Sequence, residues 1–268
     1  MKPTFDADEI RSVIERVRGR YPEGAPQGPR APEPREPDPP PVETGRGIFM
    51  SVDAAVEAAW RAQLEFAAMG LKRRYAVVAS IRESMRQHSE SLAKAAHEET
   101  GLGRAEDKTQ KNLLVNEKTP GPEDLEPEVV TGDHGQMLTE FAPFGVIGSI
   151  TPTTNPTSTI INNTIAMVSA GNGVVFNPHP AAKRVSVENV RLINDAIMAG
   201  GGPENLVTAV PYPTIESAQE LMRHRNVRIL LVTGGPAVVA EALKTDKRAI
   251  TAGPGNPPVV VDETADID

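Results

Sequence analysis

Pro143-Phe144-Gly145-Val146-Ile147-Gly148-Ser149-Ile150-Thr151-Pro152 is an apolar run framed by glycine and proline, and after a helical stretch Gly173-Val174-Val175-Phe176-Asn177-Pro178 repeats the pattern. A short continuous apolar run between turn residues reads as a strand buried on both faces, the condition of strands in a parallel sheet. Taking the runs as Gly145 to Thr151 and Gly173 to Asn177, three more come at Leu206 to Val210, Arg228 to Thr233 and Pro258 to Asp262. Between them lie helical patterns at Ser158 to Ser169, Lys183 to Met198, Thr214 to Arg223 and Pro236 to Lys244. This alternation predicts an α/β fold with a doubly wound parallel sheet. Such sheets bind ligands beyond the carboxyl ends of their strands, so chemistry is to be sought in the residues just after each run.

Upstream of the sheet, Ser51 stands as an N-cap before a stripe of Val52, Ala55, Val56, Ala59 and Trp60. A second helical pattern runs from Tyr75 to Glu99 and stops at Gly101. Two or three helices therefore precede the sheet. Nearer the start, Ile10, Val13, Ile14 and Val17 recur at i, i+3, i+4, i+7 with Arg11, Glu15, Arg16 and Arg18 opposite, which predicts an amphipathic helix within residues 1–20. From Tyr21 to Thr44 nine prolines stand among Glu, Arg and Gly, a composition that cannot build a core and reads as a disordered, semi-stiff linker. The expected plan is a helix in residues 1–20, a linker in 21–45 and a folded domain in 46–268. A helix tethered in this way has no intramolecular surface assured to it, so docking on another protein is its expected use. Folding back onto the main body is the plainer alternative.

The chain carries 28 basic and 36 acidic residues, a net charge of −8, and no block of Lys or Arg that could track a phosphate backbone. Nucleic acid is not an expected partner. No apolar run approaches the ~18 residues a bilayer requires, and the start lacks the pattern of a secretory signal, so a cytoplasmic, membrane-free location is expected. Cysteine is absent, which excludes disulfides, thiolate metal sites and a sulfur nucleophile within these residues. His88 and His97 lie in a charged helical stretch and are expected to face solvent, and His134 lies in a turn. No His, Asp or Glu set has metal-ligand spacing, so no metal is expected.

The dinucleotide fingerprint G-x-G-x-x-G stands after none of the strands. The segments after the first four strands are instead Thr151-Pro152-Thr153-Thr154-Asn155-Pro156, Asn177-Pro178-His179-Pro180, Pro213-Thr214 and Thr233-Gly234-Gly235, and the fifth run is led into by Thr251-Ala252-Gly253-Pro254-Gly255-Asn256-Pro257-Pro258. In order and interval these segments resemble the aldehyde dehydrogenase superfamily from about Phe141 onward, and residues 46 to 140 resemble it more loosely. The Thr-Asn-Pro turn and Asn-Pro-His-Pro are similar to the coenzyme-A-acylating propionaldehyde and acetaldehyde dehydrogenases of bacterial microcompartments. The resemblance implies a Rossmann-type NAD-binding domain, a small aldehyde as substrate, NAD as cofactor and coenzyme A as co-substrate. It also implies a homo-oligomer when complete, a place within a microcompartment in the cytoplasm, and docking of residues 1–20 on a shell or cargo protein. A hairpin around Val129 to Phe141 is expected to serve subunit contacts.

The same resemblance assigns residues. Asn155 matches the asparagine whose amide helps hold the oxyanion of the reaction, a task suited to a neutral, directional donor. Read alone, it could be an Asx turn that caps the next helix. Thr151, Pro152, Thr153, Asn177, His179, Pro213, Thr233, Gly234, Gly235, Ala252 and Gly253 are expected to bind cofactor. Asn177 stands where many relatives carry a ribose-binding lysine, and it keeps hydrogen-bonding capacity; His179 is expected near the adenine. Thr233-Gly234-Gly235 opens a helix whose N–H groups and dipole suit a pyrophosphate, although a plain turn needing glycine would read the same. Hydrolytic relatives carry a water-activating glutamate where this chain has Ala252, and transfer to a thiol does not need that base.

Family chemistry runs through a cysteine that would lie beyond Asp268. Two readings result: part of an acylating dehydrogenase, whose 268 residues alone do not turn over aldehyde, or a nucleotide-binding or cargo-targeting protein without catalysis of its own.

Overall fold

The computed structural model describes residues 44–253 and 258–262. Contacts divide the chain into units at 1–41 and 42–268. The expected helix in residues 1–20 and the linker up to residue 43 lie outside the described residues.

Three helices come first: α1 (Val52–Ala68), α2 (Leu71–Thr100) and α3 (Ala105–Lys118). The Ser51 hydroxyl accepts the Ala54 N–H at 3.2 Å, and Gly101 ends α2 at φ +67, so both expected caps are present. A hairpin comes next, β1 (Glu128–Gly132) with β2 (Gly135–Thr139), turning at Asp133 and His134. Every residue in it is exposed, including Val129, Val130, Met137 and Leu138.

The main body then alternates strand and helix: β3 (Val146–Ile150), α4 (Pro156–Ser169), β4 (Gly173–Asn177), α5 (Lys183–Ala199), β5 (Val207–Ala209), α6 (Ile215–Arg223), β6 (Val227–Thr233), α7 (Pro236–Leu243) and β7 (Arg248–Ala252). Strand order in the five-stranded sheet is β5-β4-β3-β6-β7, and all four pairings are parallel. This is the doubly wound arrangement expected from the sequence. The chain moves outward in one direction from β3 to β5, then returns to the other side of β3, so the topological switch lies between β3 and β6.

Period-two alternation sorts the core onto the two sheet faces. Val174 and Phe176 of β4 join Ile147 of β3 in a cluster with α2, α4 and α5. Val175, Val146 and Ile150 join the opposite cluster, made with α1 and α6. Each fully buried Ile or Phe contributes roughly 1.5–3 kcal/mol through lost apolar hydration. Gly173 lets α1 cross β4 closely, because a Cβ there would lie 3.0 Å from the Ala59 carbonyl oxygen.

The fifth strand differs from the sequence expectation. Pro258 to Asp262 forms no strand, and Val259, Val260 and Val261 are highly exposed. The edge is filled instead by Arg248–Ala252, whose residues alternate between exposed and half-buried. An edge strand needs a neighbour's free ladder more than an apolar run, and β6 supplies that ladder from Ile229 to Thr233.

Candidate functional site

Parallel register sets the candidate residues on one edge of the sheet. Ile150 is level with Asn177 on one side and Val232 on the other, and Thr233 is level with Ala252. The carboxyl ends of β3, β4, β6 and β7 therefore present Thr151, Asn177, Thr233 and Ala252 side by side. At the switch between β3 and β6 opens a cleft of about 310 Å³, lined by Lys111 and Val115 of α3, Asn155, Ser158, Thr159, Asn162 and Asn163 around the start of α4, and Thr233. Among the described residues the lining contains no carboxylate.

Asn155 ends the turn that leaves β3 and immediately precedes α4. Its side chain makes no capping bond to that helix, so the plain capping account of this residue finds no support in the geometry. Its Oδ1 instead accepts from Lys111 Nζ at 3.1 Å, and its Nδ2 makes only a 3.5 Å contact with Thr154 Oγ1. Lys108, one turn before Lys111, donates from Nζ to the Thr154 carbonyl at 2.8 Å. Burial, and then the charge of Lys111, lower the pKa of Lys108. In the sequence nothing in the spacing of the two lysines separates them from an ordinary solvated face.

Behind the cleft a polar chain ties the elements together. Thr119 Oγ1 donates to Asn162 Oδ1 at 2.8 Å, Asn162 Nδ2 to Asn163 Oδ1 at 3.1 Å, and Asn163 Nδ2 to Ser149 Oγ at 3.1 Å. Asn112 of α3 accepts from Thr157 Oγ1 at 2.9 Å and donates to the Ser89 carbonyl at 3.0 Å. These bonds fix α3 and α4 against the sheet and hold the cleft walls in place.

The remaining candidates occupy distinct settings. Thr151 is buried and its hydroxyl has no hydrogen-bond partner; its N–H reaches the Asn177 carbonyl at 3.4 Å. Pro152 and Thr153 are half-buried in the turn beyond it. Asn177 is buried and accepts from Ser217 Oγ at 2.6 Å, which leaves its Nδ2 as the free end. Ser217 also closes a capping box with Thr214, so buried Pro213 and the start of α6 are held against the end of β4. His179 is exposed, its Nδ1 accepts from the Ala181 N–H at 3.1 Å, and partial desolvation lowers its pKa below 6.5. The Gly234 N–H is engaged by the Ala252 carbonyl at 3.3 Å, so an anion here would meet Gly235 and the first turn of α7, which no side chain caps. Ala252 and Gly253 are exposed at the end of β7.

The histidines expected to face solvent, His88 and His97, are half-buried, with Nδ1 at 2.8 Å from the Ser84 carbonyl and 3.5 Å from the Leu102 carbonyl respectively. The fold gathers Asp53, Glu57 and His224, a trio with metal-ligand chemistry that linear spacing could not show. Its bonding is already committed. His224 Nδ1 accepts the Asn226 N–H at 3.2 Å, which places the ring proton on Nε2, 3.1 Å from Asp53 Oδ1. Binding a cation through Nε2 would require that proton on Nδ1 and would cost the Asn226 bond. Glu57 is held by Asn226 Nδ2 at 2.6 Å and lies 3.6 Å from Arg225. The trio clamps α1 to the loop after α6.

Residues 45–268 match the Aldehyde dehydrogenase family. The chain is 52% identical over 222 residues to an acetaldehyde dehydrogenase (acetylating) of Salmonella typhimurium, covering 82% of this chain and 47% of that protein. Among solved structures, Rhodopseudomonas palustris propionaldehyde dehydrogenase with bound propionyl-CoA superposes with a TM-score of 0.79 at 52% identity, covering 83% of this chain and 50% of that one. A propionaldehyde dehydrogenase from the Clostridium phytofermentans fucose utilisation bacterial microcompartment superposes with a TM-score of 0.78 at 49% identity, covering 82% and 51%. The chain thus spans about half the length of these relatives. The match over residues 45–268, over which the parallel sheet and its switch point lie, makes this chain a member of the aldehyde dehydrogenase family.

Proposed function

We propose that this chain forms the amino-terminal, nucleotide-binding part of a coenzyme-A-acylating aldehyde dehydrogenase. In the net reaction an aldehyde, NAD⁺ and coenzyme A give acyl-coenzyme A, NADH and a proton. The observation that carries the reading is the Asn155 amide, which lines a cleft at the topological switch that holds no carboxylate among the described residues. Identity of about 50% with acylating relatives supports the subclass.

In this reading the Asn155 Nδ2 donates to the oxygen that becomes anionic when a thiol adds to the aldehyde carbonyl, and again when coenzyme A attacks the thioester. These residues hold no cysteine, so the thiol is supplied from outside them. By the family resemblance Ala252 takes the place of the glutamate of hydrolytic relatives, so in this reading water has no base there while a coenzyme A thiolate attacks unaided.

The strand ends fit NAD. The unpartnered Thr151 hydroxyl is a buried polar atom in need of a partner, Asn177 Nδ2 can donate to a ribose, and the space around Gly235 is open beside an uncapped helix N-terminus that suits a pyrophosphate. His179 Nε2 is expected to reach toward the adenine side, and Pro213 and Gly253 to shape its walls. When bound, NAD would accept the hydride lost by the aldehyde. The exposed β1–β2 hairpin is assigned to subunit contacts, and residues 1–20 to docking on a microcompartment shell or cargo protein, as the microcompartment relative encourages.

Intact mass of the polypeptide purified from its native source tests the assignment. A mass well above 28.7 kDa, with one cysteine that aldehyde protects from alkylation, is expected. A mass of 28.7 kDa would instead leave the nucleotide cleft and the docking of residues 1–20 as the whole function.

A further inference from the structure

Helix α3 sends two lysines to the turn that carries Asn155. Lys108 and Lys111 lie three positions apart and so share one face of the helix. Lys108 Nζ holds the Thr154 carbonyl at 2.8 Å, and Lys111 Nζ holds Asn155 Oδ1 at 3.1 Å. Among the described residues neither lysine has a carboxylate within 4.0 Å, although the chain carries a net charge of −8. Lys108 is only 6% exposed. Burying an ammonium beside a second cation, with no counter-ion, costs stability rather than supplying it.

The bonding settles which way the Asn155 amide faces. An ammonium is a donor only, so it can face only the amide oxygen. The Nδ2 end is therefore turned away from Lys111, and its one contact, to Thr154 Oγ1 at 3.5 Å, is too long to engage it fully. No bond to α4 fixes the amide in place of Lys111. A cation bonded to the carbonyl end also polarises the amide and strengthens Nδ2 as a donor toward developing negative charge. Lys111 lines the same cleft as Asn155.

We infer that Lys111 is a positioning residue: it fixes and polarises the Asn155 amide so that Nδ2 faces the oxyanion, while Lys108 anchors the backbone of the same turn. This rests on the acylating reading above.

The test uses the polypeptide as its native source makes it, with K111M, K111R and N155A compared for coenzyme-A-dependent NADH formation. In parallel, the Asn155 side-chain amide resonance of the same polypeptide, labelled with ¹⁵N at asparagine, is followed by NMR. For K111M we expect kcat to fall by about 10-fold or more with KM for NAD and coenzyme A unchanged, and the Asn155 amide resonance to move. K111R keeps a cationic donor and should restore kcat to within about 3-fold and return the resonance. If N155A falls by about 100-fold while K111M stays within about 2-fold of wild type, the positioning role is overturned and the acylating reading stands. An unshifted amide resonance in K111M overturns the positioning role as well. A wild-type polypeptide that forms no acyl-coenzyme A overturns both.

Discussion

At the scale of single residues, the surroundings of Asn155 make its proposed role separable from folding. Because its side chain caps nothing, N155A should leave the melting temperature within about 2 °C of wild type while lowering kcat roughly 100- to 1,000-fold, as calorimetry and steady-state kinetics would show. A large loss of stability would return Asn155 to a structural role. Asn112 is the converse case. It is fully buried and both ends of its amide are bonded, so N112A should destabilise the fold by about 1–3 kcal/mol in urea unfolding. His179 offers a titration. Desolvation disfavours its charged form, so the folded protein binds this proton less readily than the unfolded chain, and the contribution to stability falls as pH drops below 6.5. An NMR titration should place its midpoint below 6.5; a midpoint above that value would mean an unforeseen anionic neighbour. The motif marks Asn155 as a candidate, whereas nothing marks Lys111: its partner lies 44 positions away, and a lysine on a charged helix carries no local mark of that contact.

Helices and strands were readable to the extent that they are buried. Glycine and proline frame β3 and β4, whose residues are all buried, and their cores read as continuous apolar runs. β7 is half-exposed and lies at an edge, so Arg248–Ala252 carries no such run, while Val259 to Val261 resemble a strand without being one. Helix α1 shows how an element finds its place: Val52, Ala55, Val56 and Ala59 are buried as their stripe predicts, while Trp60 at the stripe's margin is 37% exposed. Its close crossing over β4 depends on Gly173. We expect G173A to push the Ala59 turn off the sheet and cost about 1–3 kcal/mol, with amide exchange in α1 accelerated ahead of the rest. Uniform exchange would show that the crossing yields elsewhere. The trio of Asp53, Glu57 and His224 belongs to this scale too, since it exists only because the loop after α6 meets α1.

Across the whole molecule, the order β5-β4-β3-β6-β7 turns scattered strand-end motifs into one edge: Thr151, Asn177, Thr233 and Ala252 are neighbours because their strands are parallel and in register. Reading the alternation of strand and helix implied the places of Thr151, Asn177 and Thr233, but not that of Ala252, whose strand was expected at Pro258 to Asp262; the cleft beside Asn155 also needed α3, from the part of the chain with the weaker resemblance. In the proposed reading the edge offers no carboxylate at Ala252 to activate water, which favours transfer to coenzyme A over hydrolysis. The most direct test measures the products formed by the native-source polypeptide from a short aldehyde and NAD⁺, with and without coenzyme A. Acylation predicts NADH and acyl-coenzyme A in equal amounts, with NADH formation beyond one turnover requiring coenzyme A. Sustained NADH formation without coenzyme A, accompanied by free carboxylic acid, would contradict the account.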